Sequence, residues 1–70
     1  MIDLKELKNR FSYHAPKDDQ PEKYGQIRKI AHEYAVELCD LCPESRELSV
    51  ALTHLDAVVF YANAAIARRS

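Results

Sequence analysis

Cys42-Pro43-Glu44-Ser45 is the stretch whose reading decides the fold. It separates two long segments of helical periodicity, and Pro43 cannot continue the first of them. Upstream, Ile27, Ala31, Tyr34, Leu38 and Leu41 repeat at steps of four and three, while Arg28, Lys29, Glu33, Glu37 and Asp40 fall off that seam. Downstream, Leu48, Leu52, Leu55, Val59, Ala62 and Ile66 repeat in the same way, and Ser45 stands where an N-cap belongs. Two such helices joined by so short a turn predict an antiparallel hairpin, with helices over residues 21–42 and 45–68. Pro21 can open the first of them because a first-turn amide lacks an intrahelical partner anyway, and Glu22 suits the positive end of the helix dipole.

The second helix carries a further stripe, Ala51, His54, Val58, Tyr61 and Ala65, rotated from the first. A helix with two mostly apolar stripes is covered on two sides, and its hairpin partner covers one. Residues 2–9, with Ile2, Leu4 and Leu7, predict a short leader helix that is too short to persist undocked. Either that leader or another subunit must cover the remaining stripe, so self-association is expected. The fold class is therefore all-α: one domain over residues 1–70, built as a short N-terminal helix and a long two-helix hairpin and assembled as a homo-oligomer.

Composition narrows the function. Seventy residues make one domain, and chains this short seldom bury enough apolar surface alone. A hydrophobic share of 47% argues against disorder. A formal charge of −1 supplies no electrostatic case for duplex DNA. No uninterrupted apolar run approaches the roughly 18 residues of a membrane span, and the N-terminus lacks the apolar core of a signal peptide. A cytosolic protein with reduced cysteines is expected. The single glycine, Gly25, excludes a glycine-rich phosphate loop.

Most chemistry-bearing groups have structural readings. Cys39 and Cys42 lack the further ligands of a zinc site and the preceding strand of a redox motif, so they read as small buried hydrophobes at a helix end. Asp18, Asp19 and Glu22 sit where caps and dipole-matched acids belong. His32 and His54 suit core or interface positions, and Asn63, polar among alanines, suits a register-setting role. No cofactor site or nucleophile-base-orienter set can be assembled, so catalysis is not expected. The proline-bounded loop of residues 10–20 is different. There Phe11, Tyr13, His14 and Lys17, with Arg28 and Lys29 beyond, bring flat aromatic faces close to cations, as a nucleobase with attached phosphate requires. From composition alone, aromatics that pin the loop to the hairpin are the commoner arrangement.

The loop RFSYHAPK (residues 10–17), CPESRELSxALTxL (42–55) and xANAAIAR (61–68) resemble a family of small phage proteins. These are the nucleotide-sponge antagonists of the CBASS immune system, of the second anti-CBASS type. Their helical hairpin module also occurs in a Thoeris anti-defence family, whose members add a β-rich portion for which this chain has no room. The resemblance implies an immune-evasion protein in the cytoplasm of the infected bacterial host. Such a protein binds cyclic dinucleotide messengers such as 3′,3′-cGAMP, without cleaving them, and so blocks effector activation. It also implies a hexamer with cyclic dinucleotide pockets between protomers.

By that resemblance Tyr13 stacks on a base and Arg28 reaches the phosphates, with Phe11, Ser12, His14 and Lys17 as neighbouring contacts. Arg68 and Arg69 are the candidates for a separate cyclic trinucleotide site. Two alternatives stay open: a helical protein-protein interaction module with no nucleotide ligand, and a small phosphodiesterase acting on the same messengers.

Overall fold

The computed structural model describes residues 3–70, which form three helices: α1 (Leu4–Arg10), α2 (Gln20–Leu41) and α3 (Arg46–Arg69). No strand occurs among the described residues. Ile2, expected in the leader helix, lies outside them. α1 is capped by Asp3, whose carboxylate accepts from the Lys5 N–H at 3.0 Å, and it runs one residue past the expected Asn9.

The turn follows from its residues. Cys42 precedes a proline and is pushed into extended backbone (φ −106°, ψ 143°), which stops α2 at Leu41. Ser45 is likewise extended, and its hydroxyl accepts from the Leu48 N–H at 3.1 Å while donating to the Pro43 carbonyl at 3.0 Å. α2 starts at Gln20 rather than Pro21. The Gln20 N–H donates to the Lys17 carbonyl at 3.0 Å, closing a turn in which Asp18 adopts φ 52°, a conformation aspartate tolerates better than most residues. Asp19 makes no side-chain cap and instead pairs with Lys23 at 3.3 Å.

α2 and α3 pack antiparallel, since Gln20 at the start of α2 bonds to Ile66 near the end of α3. On α3, Leu48, Leu52, Leu55, Val59, Ala62 and Ile66 are all half-buried, as the stepping predicts. The second stripe is exposed at His54, Val58, Tyr61 and Ala65. On α2 the packed seam is Tyr24, Ile27, Ala31, Ala35 and Leu38. Tyr34 and Leu41, expected in the seam, lie on its flank and are exposed, because the 3.6-residue repeat carries Ala35 and Cys42 inward in their place. Cys39 is exposed and Cys42 half-buried, not the buried pair expected from the helix end.

α1 docks by polar contacts at the end of α3, leaving Leu4 and Leu7 exposed and the second stripe uncovered. Among the described residues no apolar side chain is fully buried. The radius of gyration is 15.4 Å, against about 11 Å for a compact chain of this length. The chain is a slab 13 Å thick that exposes 5952 Å², where a compact monomer would show about 4,500 Å².

α3 corrects one expectation. Its 24 residues reach a mean hydropathy of 1.5 over an eighteen-residue window, so it is long and apolar enough to cross a membrane by length and composition. Alanine, valine and leucine outweigh the polar residues that interrupt every apolar run. A helix covered by protein on two sides meets the same test.

Two stability outcomes follow. Ser45→Ala should cost about 1 kcal/mol in urea unfolding, because Leu48 loses its capping acceptor. Gly25 sits inside α2, where a Cβ would meet only the Arg28 Nη2 at 3.7 Å, an ordinary contact. Gly25→Ala should therefore stabilise by about 0.5–1 kcal/mol, read as a raised Tm.

Candidate ligand pocket

The last carbonyls of a helix have no partner within it. At the end of α3 those groups collect donors from elsewhere in the chain. The Ile66 carbonyl accepts from Gln20 Nε2 at 3.2 Å and from the Ser70 hydroxyl at 2.8 Å, and the Arg68 carbonyl accepts from Asn9 Nδ2 at 3.2 Å. Gln20 is only 5% exposed, and its Oε1 also accepts from the Lys17 N–H at 3.2 Å. Both ends of the loop over residues 11–19 are thereby tied to one place. His14 Nε2 donates to the Asn9 carbonyl at 2.7 Å, and the Ser12 hydroxyl donates to the Lys8 carbonyl, holding the first half of the loop against α1.

An ion-pair cluster completes the junction. Arg69 forks onto Glu6 with two contacts of 2.8 Å, and Arg10 Nε reaches the same carboxylate at 2.9 Å. These hydrogen bonds, Arg69 first and Arg10 second, hold the Glu6 carboxyl at about 2, well below the usual carboxylate range. Glu6 raises the Arg69 guanidinium in turn. Arg68 Nη2 donates to the Arg10 carbonyl at 3.3 Å.

A cavity of about 500 Å³ opens at this junction, lined by Arg10, Ser12, Tyr13, His14, Tyr24, Arg28, Asn63, Ala64, Ala67 and Arg68. Its volume lies within the roughly 300–1,000 Å³ of small-molecule sites. Three of its lining residues are arginines and none is a carboxylate. Arg28 forms no ion pair among the described residues. Tyr13 is 86% exposed and Phe11 85%, so neither ring pins the loop to the hairpin. Such a site can stack a planar ring on tyrosine and fork onto an anion with arginine.

Of the residues expected from sequence, Ser12, Tyr13, His14 and Arg28 share this cavity. Phe11 and Lys17 do not line it. Arg68, expected at a separate site, lines the same cavity, while Arg69 is engaged by Glu6. Arg10, Tyr24, Asn63, Ala64 and Ala67 were not expected in the site. Tyr24 was open to inference, since it precedes Arg28 by four residues and so shares its helix face. Gln20 and Asn9, which place the loop, carry no local signal.

The fold and pocket define a small helical hairpin protein with a cationic, aromatic pocket at the open end of the hairpin. The Acb2/Tad1 hairpin domain family matches residues 3–67, and the chain belongs to that family. Its membership fits a phage anti-defence role. No curated protein and no solved structure matches the chain.

The Glu6 cluster has a pH signature. Because its folded value is depressed, Glu6 contributes stability above its ordinary carboxyl range near 4.5 and loses that contribution as pH falls toward about 2. Thermal unfolding of the wild type and Glu6→Gln should differ at pH 6 and converge across that window.

Proposed function

We propose that the chain binds host cyclic dinucleotide messengers of the 3′,3′-cGAMP kind and sequesters them uncleaved. In the cytoplasm of an infected bacterium this keeps the messenger below the threshold of the CBASS effector. The observation that carries the reading is the gathering of Tyr13, Tyr24, Arg10, Arg28 and Arg68 around one cavity without a carboxylate, in a chain whose net charge is −1. Tyrosine faces suit bases, each stack contributing about 1–3 kcal/mol. Arginine forks suit the two phosphodiesters. Family membership supports the same reading.

A sponge must hold its ligand at sub-micromolar concentration, about −8 kcal/mol or better. One open cavity leaves much of a ligand wet, and a second protomer closing over it would supply the missing contacts. The uncovered α3 stripe and the excess exposed surface support self-association on independent grounds. The number six rests on the family resemblance. Cyclic trinucleotides are a second ligand class within this reading, with Arg68 at the shared cavity.

The rival reading, a helical interaction module without nucleotide, draws on the apolar groove of about 710 Å³ between α2 and α3. Calorimetric titration with 3′,3′-cGAMP decides between them. Binding should weaken roughly ten-fold or more in both Tyr13→Ala and Arg28→Ala, matching one lost stack or one lost charged fork. Ligand released by heating should be recovered intact. Absence of heat with every cyclic di- and trinucleotide would favour the interaction module, and cleaved ligand would favour a phosphodiesterase.

A further inference from the structure

Among the described residues, Asn63 is the one that lines the cavity with a buried polar side-chain atom left without a hydrogen-bond partner. Its Oδ1 is buried and has no hydrogen-bond partner among the described residues, while the residue lines the cavity beside Ala64 and Ala67. Buried acceptors without donors are uncommon in folded proteins, because the desolvation of the group goes uncompensated. The residues beside it on α3 carry only methyl groups, leaving room for a planar partner. Tyr13, Tyr24 and Arg28 border the same space, so a ring stacked on tyrosine would present its edge near α3.

We propose that Asn63 is the specificity-determining residue of this pocket, its Oδ1 accepting from the exocyclic amino group of an adenine base. The inference rests on the nucleotide reading of the pocket. A carboxamide matches adenine in both directions: its oxygen accepts from the N6 amino group while its amide donates to N7. Contacts to the phosphates carry no base information, so discrimination between bases falls to groups that meet a base edge. An arginine fork would favour guanine, whereas a carboxamide favours adenine. The alternative for a polar residue on an apolar face is a register contact with another subunit, and the test separates the two.

The probes are 3′,3′-cyclic di-AMP and 3′,3′-cyclic di-IMP, which replaces each adenine amino group by a carbonyl that would face Oδ1 acceptor to acceptor. The wild type should prefer cyclic di-AMP by about ten-fold or more. Asn63→Ala should remove that preference, with assembly mass unchanged in light scattering. Tyr13→Ala should weaken both ligands and keep their ratio. Asn63→Leu serves as the second variant: it should lose the preference while raising the ligand-free Tm, because the orphaned acceptor is gone.

A preference that survives in Asn63→Ala, or a wild type that binds both ligands equally, would overturn the assignment and leave the sponge reading standing. A fall in assembly mass with parallel weakening of both ligands would make Asn63 a register residue. A wild type that binds neither ligand, nor 3′,3′-cGAMP, would remove the nucleotide reading itself and this assignment with it.

Discussion

Four carbonyls at the end of α3 have no partner within their own helix, and much of the chain's arrangement is the answer to that. Gln20 and Asn9 supply donors from the start of α2 and from α1, and Ser70 at the C-cap adds its N–H and its hydroxyl to the Ile66 carbonyl. Arg69, Arg68 and Arg10 gather at the same negative end of the helix dipole, with Glu6 holding two of them together. The loop between α1 and α2 therefore has both ends tied to one helix terminus. Its aromatic residues face outward because its polar contacts, not its rings, do the anchoring. The cavity is a by-product of the same geometry, with the loop as one wall and the outer turns of α2 and α3 as the others.

The rest of the hairpin is governed by a shortage of partners. Two helices in contact along one seam can half-bury a row of side chains on each and fully bury none. α1 does not help, because the charged junction draws it to the end of α3 and away from the stripe of Val58 and Tyr61. A slab 13 Å thick thus keeps its larger apolar groups at the surface. Physical chemistry asks for a second layer, and the pocket, open on its outer side, asks for a closing wall. One assembly could meet both demands, which makes ligand enclosure and stability parts of a single problem for this chain.

Sequence reading reached the hairpin because its signals are local. Pro43 forces Cys42 into extended backbone, Ser45 offers a capping hydroxyl, and the half-buried stripe of α3 follows from stepping alone. The same reading misassigned Tyr34 and Leu41 because steps of four and three drift from the 3.6-residue turn over a long helix. It also placed the cysteines inside and saw no helix apolar enough for a membrane, since uninterrupted runs hide the average composition of α3. In the pocket, Tyr13 and Arg28 were legible as types suited to nucleotide. Asn63 was visible as an oddity whose neighbours could not be known.

What the sequence by itself determined is the set of elements: three helices, their start and stop signals, and two apolar stripes on the last of them. These depend on backbone preference and periodicity over a few residues. Only the tertiary structure decided that Gln20 reaches Ile66 across 46 positions and that Arg68 joins Tyr13 and Arg28 around one cavity while Arg69 turns to Glu6. Those outcomes depend on where an antiparallel hairpin brings its two open ends, and on which unpaired carbonyls wait there, neither of which any local pattern encodes.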